Sequence, residues 1–165
     1  MELDVHLMIS DPIRYIDDFA QAGADIITVH FEACGRIEPV IGRIREKGKR
    51  AGIVLKPETG LHELSEKIWE SIGVLQIMTV QPGMRGQHFN RETLAKIEEA
   101  ARYIKEHRLD VEIEVDGDIT PEHLREVLDA GARIVVAGKA LFEGSLQANI
   151  RQYQAAGAAL TEPGA

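Results

Sequence analysis

Short apolar runs rich in β-branched residues alternate with longer stretches of helical spacing along the whole chain, and this alternation constrains the fold more than any other feature. The apolar runs predict six strands, at 3–9, 26–31, 51–55, 74–80, 111–115 and 134–137. Helical spacing follows each strand, near 12–22, 37–47, 62–71, 90–108, 120–131 and 145–156. The sequence therefore predicts six consecutive strand–helix units.

The strands show no clean polar alternation, which is typical of a parallel sheet covered by helices. Repeated strand–helix units imply right-handed crossovers between parallel neighbours. Two architectures satisfy this pattern, an open doubly wound sheet and part of a (βα)8 barrel, and periodicity does not choose between them.

Size and charge narrow the class of protein further. The 165 residues leave room for one domain, predicted at 1–160 with a short C-terminal tail at 161–165. Nineteen basic residues against twenty-seven acidic ones argue against a nucleic-acid partner. A single cysteine, an acidic N-terminus and no apolar run of about 20 residues predict a soluble, cytoplasmic protein without a membrane partner.

Polar residues gather at the predicted carboxyl ends of the strands, where both architectures bind their ligands. These strand-end residues are His6, Met8, His30, Glu32, Lys56, Glu58, Met78, the turn 81–87, Glu114, Asp116, Asp118, Gly138 and Lys139. The set contains more ionisable groups than a purely stabilising face needs.

Asp116 and His6 are the strongest candidates for chemistry. Asp116 ends a strand just before Gly117, where a carboxylate serves as metal ligand or general acid/base, or simply as a turn former. His6 lies in an apolar strand on the same face as Met8, and a structural histidine is the alternative. Together they suggest a His–carboxylate site for a divalent transition metal that needs a further ligand. Met8 and Met78 are most simply core residues.

Two glycine-containing turns are candidate anion sites. Gly83, Met84, Arg85, Gly86 and Gln87 lie between a strand and a helix, where backbone N–H groups and the helix dipole favour an anion. An ordinary turn is the alternative. Gly138 and Lys139 follow the last strand and form a second candidate, because barrel enzymes often bind phosphate after their last strands.

Several phrases of the sequence resemble the ribulose-phosphate 3-epimerase family. They are Asp4-Val5-His6-Leu7-Met8, Ala22-Gly23-Ala24-Asp25, Val29-His30-Phe31-Glu32-Ala33, Met78-Thr79-Val80-Gln81-Pro82-Gly83, Glu112-Ile113-Glu114-Val115-Asp116-Gly117 and Val136-Ala137-Gly138. They follow the family's order over nearly the whole chain. Met78-Thr79-Val80 and Pro57-Glu58-Thr59 are similar to the related allulose-6-phosphate 3-epimerases as well.

The resemblance implies a TIM barrel and a metal-dependent epimerase that inverts C3 of a ketose phosphate, D-ribulose 5-phosphate to D-xylulose 5-phosphate. It implies a divalent Zn, Fe, Mn or Co ion bound by His6 and Asp116, with Asp116 as one of two proton-transfer aspartates. Met8 and Met78 match methionines beside the enediolate. Residues implied to bind substrate are His6, Met8, Met78, Gly83, Met84, Arg85, Gly86, Gln87, Gly117, Asp118, Gly138 and Lys139.

The sequence also departs from the family pattern. It begins at what resembles the family's third strand, so we expect the first two strand–helix units, which would carry the second aspartate, another metal-binding histidine and a serine, to be missing from it. The family's Asp-Gly-Gly is here Asp116-Gly117-Asp118, the asparagine before Pro82 is Gln81, and Arg85 and Lys139 replace small residues. We therefore expect a barrel truncated to about six units, with open sheet edges that favour a homo-oligomer. A non-catalytic sugar-phosphate binder or an assembly remnant is the alternative function.

Overall fold

The computed structural model describes residues 1–84 and 86–158 of the chain, so Arg85 and the predicted tail at 161–165 lie outside the described residues. One six-stranded sheet forms the centre, and every neighbouring pair of strands is parallel. Its strands are β1 Asp4–Leu7, β2 Ile26–His30, β3 Arg50–Leu55, β4 Val74–Met78, β5 Glu112–Asp116 and β6 Ile134–Val136. All six predicted strands are thus confirmed, each with slightly different ends.

Helices follow the strands as the spacing predicts. They are α1 Ile16–Ala22, α2 Glu38–Glu46, α3 Glu66–Trp69, α4 Thr93–His107, α5 Pro121–Ala130, α6 Lys139–Phe142 and α7 Leu146–Ala158, with 3-10 turns at Pro12–Arg14, Phe31–Ala33 and Leu61–Glu63. The helix predicted at 62–71 is divided into two short pieces because Leu64 and Ser65 have extended backbone angles. The one-turn helix α6 was not predicted.

The order of the strands decides between the two architectures. The sheet runs β1-β2-β3-β4-β5-β6 without reversal, whereas a doubly wound sheet reverses direction at its switch point. The sheet is also strongly curved. In a flat sheet β1 and β5 would lie about 19 Å apart, at about 4.8 Å per step, yet His6 Nδ1 of β1 lies 3.7 Å from Asp116 Oδ2 of β5. The fold is a TIM-type barrel truncated to six units, as expected.

The two faces of the curved sheet differ in chemistry. The outer face packs apolar strand residues such as Ile53 and Leu75 against helix residues such as Ile44 and Ile97 in one core. Polar side chains on the strands are nevertheless buried, and they are Thr28, His30, Gln76 and Glu114. Residues two apart on a strand share a face, so the inner face becomes the polar one.

The edges of the sheet are open within the described part of the chain, since β1 and β6 each pair with only one strand. Over residues 1–84 and 86–158, no helix combines the length and apolar character that a membrane span requires.

Candidate active site

His6 and Asp116 converge on the concave face of the sheet. His6 Nδ1 lies 3.7 Å from Asp116 Oδ2, and the side-chain amide of Gln76 contacts both of them. Gln76 Nε2 is 3.1 Å from His6 Nδ1 and 3.4 Å from Asp116 Oδ2. The side chains of His6 and Asp116 are partly accessible to solvent, with 16% and 24% of their surface exposed. The pair is thus accessible to a small ligand yet held from behind by a buried amide.

Gly52 provides the space that orients this amide. Thr28 of β2 donates a hydrogen bond of 2.9 Å to Gln76 Oε1 of β4, and β3 runs between the two strands. Gly52 is the residue of β3 that pairs with Thr28. A Cβ on Gly52 would lie 2.6 Å from Thr28 Cγ2, too close for any side chain. The glycine therefore lets Thr28 reach across one strand and fix the orientation of Gln76.

A tight turn fixes the position of Asp116 at the end of β5. Gly117 has a φ of +135°, and a Cβ there would lie 2.7 Å from Val80 Cγ2. Thr79 donates its backbone N–H to the Asp116 carbonyl and its hydroxyl to the Gly117 carbonyl. These contacts fix the backbone that follows the Asp116 side chain and so restrict the position of its carboxylate.

His30 and Glu32 extend the polar cluster behind His6. His30 is 7% exposed, and its Nε2 lies 3.0 Å from His6 Nε2. Its Nδ1 lies 3.5 Å from Glu32 Oε2. Glu32 Oε1 accepts hydrogen bonds from the Lys56 N–H and the Thr59 hydroxyl. Burial opposes ionisation of Glu32, but the hydrogen bonds from His30, Thr59 and Lys56 outweigh it and lower its pKa to about 2.

Lys96 of α4 supports the loop that holds Glu32. Its ammonium donates three hydrogen bonds, to the carbonyls of Lys56, Pro57 and Thr59, at 2.6 to 2.8 Å. Burial lowers the pKa of Lys96, and the charge of Glu58 opposes that effect. A lysine on the outer helix layer thus fixes backbone that contacts the inner face.

The two predicted glycine turns meet at one cavity of about 230 Å³. The predicted residues that line it are Met84, Gly86, Gln87, Asp116, Asp118, Gly138 and Lys139. A second cavity of about 310 Å³ on the other side of the mouth is lined by Met8, His30, Glu32 and Gly83 among others. A larger cleft of about 520 Å³ opens near Arg50 and Arg108, at the amino ends of the strands, and contains none of the candidates.

The structure adds three details about these turns. No helix begins directly at the glycine turn, because α4 starts only at Thr93. The side-chain amide of Gln87 is hydrogen-bonded to the backbone of Gln81. Its Oε1 accepts from the Gln81 N–H, and its Nε2 donates to the Gln81 carbonyl. Lys139 is 84% exposed and lies 3.3 Å from Glu143 on the one-turn helix α6.

Asp118 lines the 230 Å³ cavity, and contacts with the neighbouring loop hold its carboxylate. Its Oδ2 accepts a hydrogen bond from the Phe89 N–H and lies 3.8 Å from His88 Nδ1. Its backbone is left-handed, with a φ of +51°, where aspartate is tolerated better than most residues. The carboxylate adds negative charge to the cavity.

The two methionines differ in environment. Met78 is 2% exposed and belongs to the core, which confirms the prediction for it. Met8 is 53% exposed, so its assignment to the core is wrong: β1 ends at Leu7, and Met8 lies beyond it on the rim of the second cavity.

Comparison with known proteins agrees with this geometry. The family model for the ribulose-phosphate 3 epimerase family matches residues 1–142. The chain belongs to that family. It is 44% identical to the ribulose-phosphate 3-epimerase of Bacillus subtilis, over 86% of this chain and 65% of that protein. It is 47% identical to the ribulose-phosphate 3-epimerase of Synechocystis sp., over 85% of this chain and 61% of that protein.

The family relationship thus covers most of this chain but less than two thirds of the length of those two epimerases. Among solved structures, 3-hexulose-6-phosphate synthase from Salmonella typhimurium superposes with a TM-score of 0.67. That superposition covers 94% of this chain and 72% of the synthase, at 18% identity, and therefore speaks for the fold alone.

Among the described residues, His6 and Asp116 are two candidate metal donors that the fold brings together. His6 Nδ1 and Asp116 Oδ2 are separated by roughly the span of two ligands of one cation. Over residues 1–84 and 86–158, no three His, Cys, Asp or Glu side chains form a ligand group. The donor pair fits one side of a divalent metal site, and the other ligands are expected from outside this sequence.

Sequence reasoning missed the supporting residues Thr28, His30, Glu32 and Gln76 as parts of the site. His30 and Glu32 were recognised as strand-end residues, but no contact to His6 follows from spacing. Gln76 carried a clearer signal, because an amide inside the apolar strand Val74–Met78 must find a buried partner.

Proposed function

We propose that this chain forms the larger part of a metal-dependent epimerase that inverts C3 of a ketose phosphate, with D-ribulose 5-phosphate and D-xylulose 5-phosphate as the pair. The observation that carries the proposal is the convergence of His6 and Asp116, 3.7 Å apart at the carboxyl ends of β1 and β5. Family membership supports the same reaction. Asp116 is assigned as one of the two proton-transfer groups.

The metal would be held on this side by His6 Nδ1 and Asp116 Oδ2. A divalent Zn, Fe, Mn or Co ion supplies Lewis acidity that offsets the negative charge developing on the substrate oxygens when the C3 proton leaves. Asp116 accepts that proton on its free carboxylate oxygen. Gln76 holds the carboxylate in place through its amide N–H.

The 230 Å³ cavity is the proposed site for the phosphate group. Gly86, Gly138 and Lys139 line it, and Gly117 lies in the turn beside it. The backbone N–H groups of such turns suit an anion. Gly83, Met84, Arg85 and Gln87 complete the set proposed from the sequence. Asp118 weakens the site, because its carboxylate faces the same cavity.

Inversion at C3 requires proton transfer on both faces of the planar intermediate, and Asp116 serves only one face. The second group is expected from outside this sequence. The isolated chain should therefore exchange the C3 proton of one epimer with solvent without converting it to the other.

Deuterium exchange followed by NMR tests this. The metal-loaded chain is incubated in D2O with each ketose phosphate in turn. We expect deuterium at C3 of one of the two and no net epimerisation, and we expect Asp116→Asn to abolish the exchange. Asp129→Asn, which changes an exposed aspartate on α5, is the matched control.

Three results would contradict the proposal. Full epimerisation by the chain alone would disprove the one-sided assignment, and absence of exchange from both compounds would disprove the role of Asp116. A collapse of folding in Asp116→Asn would make Asp116 a structural residue.

A non-catalytic sugar-phosphate binder is the second candidate, because only one of the two proton-transfer groups, Asp116, is assigned in this sequence. Titration with D-ribulose 5-phosphate in the absence of metal distinguishes the two functions. Binding without any C3 exchange in the metal-loaded chain would support the binder.

We further propose that the open edges of β1 and β6 pair with other copies of the chain, since unpaired parallel edges attract strands. Sedimentation that shows a stable, folded monomer would contradict this assembly.

A further inference from the structure

A continuous chain of side-chain contacts runs from Glu32 to Asp116 through two imidazoles. Glu32 Oε2 faces His30 Nδ1 at 3.5 Å, and His30 Nε2 faces His6 Nε2 at 3.0 Å. His6 Nδ1 then faces Gln76 Nε2 at 3.1 Å, and Gln76 Nε2 faces Asp116 Oδ2 at 3.4 Å. A neutral imidazole carries one proton on its two nitrogens, so each contact restricts the next.

At the Asp116 end of this series of contacts, Gln76 indicates which ring nitrogen of His6 carries the proton. Gln76 Oε1 accepts from the Thr28 hydroxyl, which directs the amide nitrogen toward Asp116 and His6. That nitrogen is a donor, and it therefore requires a lone pair on His6 Nδ1. A proton on Nδ1 would face the amide N–H at 3.1 Å, donor against donor. This contact favours the His6 proton on Nε2, and the other end of the series adds to that preference.

The Glu32 end leads independently to the same assignment. Glu32 Oε1 accepts hydrogen bonds from the Lys56 N–H and the Thr59 hydroxyl, and the pKa of this carboxyl is lowered to about 2, so Glu32 acts as an acceptor. His30 Nδ1 is buried without a hydrogen-bond partner among the described residues, and the Glu32 carboxylate faces it at 3.5 Å. A proton on His30 Nδ1 leaves the lone pair on Nε2. That lone pair accepts the Nε2 proton of His6 at 3.0 Å.

We propose that His30 and Glu32 are positioning residues that hold the proton of His6 on Nε2 and so keep the Nδ1 lone pair directed at Asp116. Outer-shell partners of this kind set the tautomer and orientation of metal-binding histidines. A free lone pair on Nδ1 can bind a divalent cation together with the Asp116 carboxylate. The binding of a cation rests on the proposed function, whereas the tautomer does not.

The tautomer is read directly by long-range ¹H–¹⁵N correlation spectra of the chain at about pH 8, above the ordinary imidazole pKa. Metal and substrate are absent from this measurement. We expect His6 to show a protonated Nε2 and a bare Nδ1, and His30 the opposite arrangement. A protonated Nδ1 on His6 would overturn the proposal.

Two variants separate positioning from packing. His30→Leu keeps the approximate volume but removes the acceptor, and we expect His6 to become a mixture of tautomers. His30→Gln returns an amide oxygen to the same place and should restore the single tautomer. Glu32→Ala should mix the tautomers of both histidines, whereas Glu63→Ala, which changes an exposed glutamate, should leave them unchanged. A His6 tautomer that is identical in all variants would show that Gln76 alone sets it and would overturn the assignment.

Titration with Co²⁺ then tests the use of the free lone pair. We expect about 10-fold weaker binding in His30→Leu, the lower end of the 10–100-fold loss typical of outer-shell partners, with recovery in His30→Gln. If the chain takes up no Co²⁺ while the tautomer pattern holds, the proposed metal site fails and the positioning assignment stands. Equal Co²⁺ affinity in wild type and His30→Leu would overturn the claim that His30 keeps His6 Nδ1 available for cation binding.

Discussion

Glu114 gives the sharpest stability prediction, because burial of its carboxyl group raises its pKa far above the ordinary value. Glu114 is 2% exposed on the inner face of β5, and its Oε2 has no hydrogen-bond partner among the described residues. Burial, followed by the charge and hydrogen bond of Asp4 and the charge of Asp116, raises its pKa to about 9, and Arg50 opposes this effect. We predict that Glu114→Gln stabilises the protein and that the gain grows with pH.

The magnitude follows from the difference in proton affinity between the folded and unfolded chain. In the unfolded chain Glu114 titrates near its ordinary value of 4.5. The folded state binds its proton more tightly, so the stability contribution is complete below that value and is lost progressively as the pH rises toward 9. At about 1.4 kcal/mol per pKa unit, the loss is about 1 kcal/mol at pH 5 and at most about 3 kcal/mol at pH 7. Glutamine mimics the protonated acid and retains a donor toward Asp4.

Urea denaturation of both proteins at about pH 5, 6, 7 and 8 measures the difference in unfolding free energy. We expect the two stability curves to diverge with rising pH, because the wild type alone carries the cost of proton uptake. Glu98→Gln, on the exposed side of α4, controls for the loss of a carboxylate that is not buried. Parallel curves for wild type and Glu114→Gln would refute the assignment of a protonated Glu114.

Three further predictions follow from single contacts. Gly52→Ala should cost about 2 kcal/mol of unfolding free energy by urea denaturation, because its Cβ would overlap the Thr28 methyl group; an unchanged urea midpoint would contradict the crowding. Lys96→Met removes three hydrogen bonds from a charged donor and should cost about 2–3 kcal/mol, with faster hydrogen exchange at the Lys56 amide. Burial and nearby carboxylates raise the pKa of Cys34 to about 11, so alkylation by iodoacetamide near neutral pH should be about 100-fold slower than for a free thiol. Rapid alkylation of the folded chain would contradict that environment.

Local sequence signals predicted the position of the elements well. The proline after Thr120 and the glycine at 131 mark the limits of α5, and Thr120 forms a capping box with His123 as such a start requires. The predictions failed where local spacing competes with backbone geometry. Helical spacing continues across 62–71, but the extended angles of Leu64 and Ser65 divide that segment, and no periodicity signal reports them.

The candidate site was predicted in part. Asp116 and His6 could be proposed from strand ends, and the structure brings them together. Met8 was placed in the core because an apolar residue beyond the end of a strand has the same local pattern as one inside it. The hydrogen bond between Thr28 and Gln76 depends on the space above Gly52 of the strand between them. That space cannot be recognised until the pairing of the strands is known.

The sequence by itself determined the number and order of the strand–helix units, because apolar periodicity and turn residues act over a few neighbours. It also determined which residues stand at strand ends. Only the tertiary structure decided that the strands pair in sequential order on a curved sheet, since that choice depends on packing between residues far apart in the chain. Curvature then places β1 against β5 and turns His30, His6, Gln76 and Asp116 into one connected site.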